Sequence, residues 1–247
     1  MHGISKSLYI IKRVFYVKEH IIYWPSFFKE EYENDKKHNS LESINSCLQD
    51  ELKLGTITIY FNFISFYANE FVQDLDFFQQ LRKPVIPFAE LRLQQLTSYI
   101  EFNRNSSNFG SLENLIIQLR FNPEDFYVIF RLAFEAAYNK FAVHIPNHPA
   151  RHLFYSCQVF DPKYIYNGDI SQKDIWQYNA IHEFANPPDE LLREWGIYCG
   201  LGNNEVLGEI ELNQYWLNKA IQLPILFKIA LEYIWLPVSS CILASDR

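Results

Sequence analysis

Glycine and cysteine are both scarce in this chain: 8 glycines and 4 cysteines in 247 residues. Few glycines, with many Phe, Leu and Ile, argue for packed helices and against a loop-rich sandwich. The cysteines, Cys47, Cys157, Cys199 and Cys241, are widely spaced among apolar neighbours and form no C-x-x-C pair. A zinc ribbon or finger is therefore unsupported, and a reducing intracellular compartment is the simpler expectation. Positive charge is also thin, with 22 Lys and Arg against 29 Asp and Glu, a net charge of −7 and no basic cluster. Gripping a phosphate backbone requires Lys and Arg to displace counterions, so this balance argues against stand-alone nucleic-acid binding. No run of about 18 apolar residues marks a membrane span. The opening MHGISKSLYIIKRVFYV is not a signal peptide, because Lys12 and Arg13 break its apolar run and no small-residue cleavage site follows. The phosphate-loop, dinucleotide and nucleophile-elbow patterns are all missing.

What the chain does have is aromatic residues, 17% of the total, most of them at helical spacing. In residues 1–39 periodicity does not decide between strand and helix at Ile10, Ile11, Val14, Phe15 and Val17. Ser40 is placed to cap a helix carrying Leu41, Ile44 and Leu48 on one face, with Gly55 able to close it in a left-handed conformation. Ile57, Phe61, Ile64, Ala68, Phe71, Leu75 and Phe78 then recur alternately four and three apart, a heptad-like seam that ends before Pro84. Tyr60, Phe63, Tyr67 and Val72 widen it into the face of a bundle helix. A third helix runs from about Pro87 to Phe102 with Leu93, Leu96 and Ile100 inward, and Asn103 to Ser111 is a loop by composition. Asn122-Pro-Glu-Asp125 starts another, with its acids at the positive end of the helix dipole and Phe126, Phe130, Ala133, Ala137 and Phe141 on the expected buried side. Asn186-Pro-Pro-Asp189 opens a further helix through Leu191, Leu192 and Trp195.

The organising stretch is Val206 to Ser240, read as two helices joined at Pro224 and stopped at Pro237. Proline suits the first helical position, where its missing N–H has no partner to lose. Leu226, Ile229, Ala230, Tyr233 and Ile234 mark one apolar face. Ile225, Phe227, Leu231 and Trp235 lie on the other sides, and only Lys228 and Glu232 form a polar stripe. A helix apolar nearly all round has to be covered on more than one side, by a large core or by a partner.

Tyr215-Trp216, then Leu223-Pro224 with Leu226 and Ala230, then Leu236-Pro-Val-Ser-Ser240 resembles the C-terminal dimerisation region of hAT-superfamily transposases. Tyr155 to Pro162 followed by Lys163 is similar to the segment after the helical insertion of that family, where an apolar run ends in Asp-Pro-basic. The matching positions are Asp161, Pro162, Pro224, Pro237, Ser239 and Ser240. The resemblance implies a mainly α fold: an insertion-like helical bundle over 40–150, then the dimerisation helices of an incomplete RNase H-like core over 151–247. It implies a transposable element-derived protein in the nucleus, acting through dimerisation with itself or with a related chain. Tyr215, Trp216, Leu226, Ala230, Tyr233 and Trp235 are the candidate interface or core anchors, a choice that spacing alone leaves open.

Catalysis is not expected. The family cleaves DNA with two aspartates and a glutamate that hold divalent metal. The glutamate follows the serine pair by four residues, where this chain has Ala244. Asp246-Arg247 lies two places out of register, about 200° around a helix. The family's arginine-tryptophan step, whose tryptophan stacks on an extruded base, meets Tyr23-Trp24 here, so Trp24 stands either as a possible DNA contact or as a packed side chain. His144, His148 and His152 have ligand spacing, but Pro146 and Pro149 break the helix that would give it meaning, so no metal or other cofactor is expected.

Overall fold

The computed structural model describes residues 20–34, 39–80, 82–201 and 211–238. Among them every regular element is helical and no strand occurs, which establishes the all-α class. The helices are α1 (Trp24–Asn34), α2 (Asn39–Gln49), α3 (Glu51–Phe78), α4 (Ile86–Arg104), α5 (Ser111–Gln118), α6 (Pro123–His144), α7 (Arg151–Cys157), α8 (Pro162–Tyr166), α9 (His182–Ala185), α10 (Asp189–Gly200), α11 (Leu212–Lys219) and α12 (Pro224–Ile234). They group into two compact units. One holds the described residues up to Leu75 together with Tyr99–Tyr138, and the other holds Asp76–Ser98 and the described residues from Asn139 onward. The units interleave along the chain, whereas the sequence suggested a boundary at 150. Periodicity marks a helix but does not show where a long one changes company.

In the first unit the break expected at Gly55 falls at Asp50. The Asp50 carboxylate accepts from the Leu52 and Lys53 N–H groups at 3.0 and 3.2 Å and caps α3. Gly55 lies inside α3 for a different reason: a Cβ there would stand 2.7 Å from Cε2 of Phe121. Ser40 is already inside α2, so it does not cap it from outside. The seam residues Ile57, Phe61, Ile64, Ala68, Phe71 and Leu75 are half-buried, and Gly55, Ile59, Ser65, Val72 and Asp74 are the buried positions of that helix. Tyr60, Phe63 and Tyr67 pack into a ring cluster around Phe109, Phe126, Phe130 and Phe134. At its centre Phe63 stacks on Phe130 with ring centroids 4.1 Å apart. Helix α5 was not foreseen. It closes on Arg120, whose φ of 63° is the left-handed cap conformation, with Arg120 N–H to Ile117 O at 2.9 Å and Phe121 N–H to Ile116 O at 3.0 Å.

Helix α6 begins at Pro123 and buries Phe126 and Phe130 as expected, but its inner face turns away from the alanines. Phe126, Tyr127, Phe130 and Phe134 are buried, whereas Ala133 is exposed and Ala137 half-buried. The outer side carries Val128, Ile129 and Leu132, which are 52%, 44% and 61% exposed. Four bulky rings outcompete the alanines for the interior, because each buries far more apolar area.

The second unit is built of short helices around Phe160, Phe184, Trp195, Tyr198 and Trp216. Asp161-Pro162 opens α8, with the Asp161 carboxylate accepting from Lys163 N–H at 3.0 Å. Burial pushes the Asp161 pKa up, opposed by that N–H and by the Lys163 charge. Helix α10 starts at Asp189 behind Pro188 and buries Leu191, Glu194, Trp195 and Tyr198. In α4, Ile86, Ala89 and Leu93 join this core. Leu96 is half-buried and Ile100 is covered in the first unit. Arg151 forks onto buried Glu90, with Nε to Oε2 at 2.5 Å and Nη2 to Oε1 at 2.7 Å.

Candidate functional site

Two helices form the C-terminal hairpin, with a turn over 220–223 between them. Pro224 takes the first position of α12, and that helix ends at Ile234, before Pro237. The first two free N–H groups of α12, on Ile225 and Leu226, both donate to Oε2 of Glu194 at 2.9 and 2.8 Å. Glu194 is only 4% exposed. A carboxylate at a helix N-terminus meets the positive end of the dipole and satisfies orphan donors together, which compensates its desolvation. Nothing in the sequence names this contact, since the acid lies about thirty positions upstream on another helix.

Four of the six anchors read from the sequence lie inside the second unit: Tyr215, Trp216, Leu226 and Ala230 are all buried. Trp216 packs edge-on to Phe160 and donates its Nε1–H to the Phe160 carbonyl at 3.0 Å. The Tyr215 and Tyr166 hydroxyls lie 2.7 Å apart. Tyr233 is half-buried and stacks near Phe160. Its hydroxyl accepts from the His182 N–H at 3.1 Å and donates to Glu183 Oε2 at 3.3 Å. Burial raises the Tyr233 pKa, opposed by the His182 N–H. These residues serve the unit's own core, one of the two roles that spacing alone leaves open: a ring whose polar tip finds a carbonyl or hydroxyl at home is already covered. Helix α12, apolar nearly all round, is likewise covered on its flanks, where Ile225, Phe227 and Leu231 pack against the same core. Trp235 is different, at 43% exposed.

The apolar groups left outside lie chiefly at the turn, where the sequence reading did not look. Ile221 is 97% exposed, Leu217 one helical turn before it is 48% exposed, and Pro224 is exposed beside them. The only available signal was two aliphatic residues four apart next to a helix-starting proline. Ser239 and Ser240 of the family pattern lie outside the described residues, as do Ala244 and Asp246-Arg247.

Elsewhere the candidates disperse. Trp24 is half-buried and held edge-on by Phe28 and Phe61 at 6.0 and 5.8 Å, on the wall of a hollow of about 420 Å³ shared with Cys47, Leu48 and Ile57. These ring contacts accord with the packed alternative for Trp24. His148 uses Nδ1 to accept from the Ala150 N–H at 3.1 Å. No group of three metal-binding side chains occurs among the described residues, and no described helix is long and apolar enough to cross a membrane. Compared with protein-family models, curated proteins and solved structures, the chain matches none.

Proposed function

We propose that the chain acts by protein–protein association, without strand cleavage, and that the C-terminal hairpin carries the contact. The supporting observation is the division of labour along that hairpin. Its inward residues complete the second unit's core, while Leu217, Ile221 and Pro224 at the turn and Trp235 at the far end of α12 present apolar surface to solvent. Tryptophan and clustered aliphatic groups are what interfaces bury most profitably, because removing them from water gives about 25 cal/mol per Å². The residue pattern from Tyr215 to Ser240 supports a hAT-transposase origin for the element, and with it a second copy or a related chain as partner. Ala244 departs from that pattern at the place of the catalytic glutamate, which is why strand cleavage is left out of the proposal. Nuclear placement and any role at DNA follow from that origin alone.

The test is molar mass by light scattering over a hundredfold concentration range. The wild-type chain should exceed monomer mass, and the double variant Leu217→Asp/Ile221→Asp should lower it with unchanged circular dichroism. A mass that stays monomeric throughout, or one that the double variant leaves unaltered, overturns the reading.

A further inference from the structure

Helix α6 has two apolar sides. The inner one supplies four rings to the first unit's core. The outer one carries Ile129 and Leu132, 44% and 61% exposed, followed by exposed Ala133 and Ala136. A solvent-facing stripe that runs large, large, small, small along one helix has an unusual property: turned end for end, it fits itself. Place a two-fold axis between Leu132 and Ala133. Leu132 then meets Ala133 of the second copy, and Ile129 meets Ala136, each contact occurring twice. The same register sets exposed Asp125 opposite exposed Lys140 at both ends of the stripe, about 22 Å apart on the helix. Beside Ala133 lies a hollow of about 120 Å³, lined by Phe63, Ile64, Tyr67, Ala68, Phe71 and Ala137 among others. It has the volume of about four water molecules, enough for one branched aliphatic side chain.

We propose that α6 is a second self-association surface, pairing antiparallel with α6 of another copy so that Leu132 of each enters the hollow beside Ala133 of the other. The occupant follows from complementarity of size and charge in one register: a different helical partner would have to reproduce both, whereas a second copy supplies both automatically. The surface is separate from the hairpin. It also changes the expected assembly, because two isologous contacts on one chain link copies beyond a closed dimer.

Four full-length proteins decide it: wild type, the hairpin variant Leu217→Asp/Ile221→Asp, the α6 variant Ile129→Asp/Leu132→Asp, and the combination. Sedimentation velocity should show wild type growing past dimer with concentration, each variant stopping at dimer, and the combination monomeric. If the α6 variant leaves the mass of wild type unchanged, the α6 surface is wrong while the hairpin reading stands. If instead the hairpin variant is without effect and the α6 variant is monomeric, the α6 surface stands alone. Register is tested separately by charge. Lys140→Asp should weaken pairing at least threefold, and adding Asp125→Lys should restore it. Equal weakening in the single and the double variant would overturn the antiparallel register.

Discussion

The two units solve the same problem, covering many aromatic rings, by different means. In the first, Phe63, Phe109, Phe126, Phe130 and Phe134 meet edge to face, stacked or tilted and ask nothing of the backbone. The long helices there hold themselves by their own ladders, and Tyr99 to the Tyr67 carbonyl, at 3.0 Å, is a tie from a ring to distant backbone. In the second unit the helices are short, and the rings take over the work of the ladders. Trp216 bonds Phe160 O, Tyr198 bonds Val159 O at 2.7 Å, Trp195 bonds Lys173 O at 2.7 Å and Tyr178 bonds Gln172 O at 2.8 Å. The lesson concerns specificity. Phenylalanine clusters tolerate sliding, whereas a ring tethered to one carbonyl has one position.

The largest predicted effect sharpens that contrast with near-matched ring substitutions. Trp216→Phe keeps an aromatic ring but removes the donor to Phe160 O and leaves a void in a fully buried site. Its cost should be about 2–4 kcal/mol. Phe130→Leu, equally buried in the first unit, loses only area and should cost about 1–2 kcal/mol. Urea denaturation of both variants measures the difference. Equal costs would mean that the tethers add nothing beyond packing.

Next in size is the cap on α12. Glu194→Ala removes the shared acceptor of two N–H groups in a covered site, for an expected loss of about 2–3 kcal/mol, while Glu194→Gln retains one acceptor oxygen and should lose about 1 kcal/mol. Thermal unfolding of the two variants side by side reads this directly. A Gln variant as damaged as the Ala variant would show that the charge at the dipole, and not the hydrogen-bond geometry, holds the hairpin.

Much of the helical frame was legible from local rules. Pro123 and Pro224 sit at first helical positions, and Leu226, Ile229, Ala230 and Ile234 bury as one face, because each of these depends on neighbours within a turn or two. What escaped depends on distance. Gly55 reads as a helix stop until Phe121 is seen pressing on it. Alanines in α6 read as core until Phe134 and Tyr127 take the interior instead. At the candidate site the sequence located the hairpin and one outward group, Trp235, but not Leu217 and Ile221 at the turn. Spacing tells which residues share a face, not whether that face meets the chain's own core or water, and Ile221 belongs to a turn where periodicity has no say. Glu194 shows the same limit from the other side, since its charge gave no hint of the helix it caps.

The smallest effect concerns protons, and it separates the half-buried thiol of Cys199 from the second unit's tyrosines. Burial pushes the Cys199 thiol from 9.0 up to about 11, with the Lys173 charge pulling the other way. Tyr178 and Tyr198 are raised from 10.0 by the same loss of hydration. In each case the unfolded chain ionises first, so above the unfolded pKa it binds fewer protons than the folded chain and stability falls with rising pH. The thiol's contribution is therefore whole below about pH 9 and fades towards pH 11, while the tyrosines begin to fade at about pH 10. Between pH 8 and pH 10 Cys199 contributes to the decline in melting temperature alongside the raised tyrosines, and Cys199→Ala should make it shallower even if the variant melts lower at every pH. The slope, not the intercept, is the readout, because the small cavity left by the sulfur shifts all points alike. A slope identical to wild type would mean that the thiol stays hydrated in the folded chain.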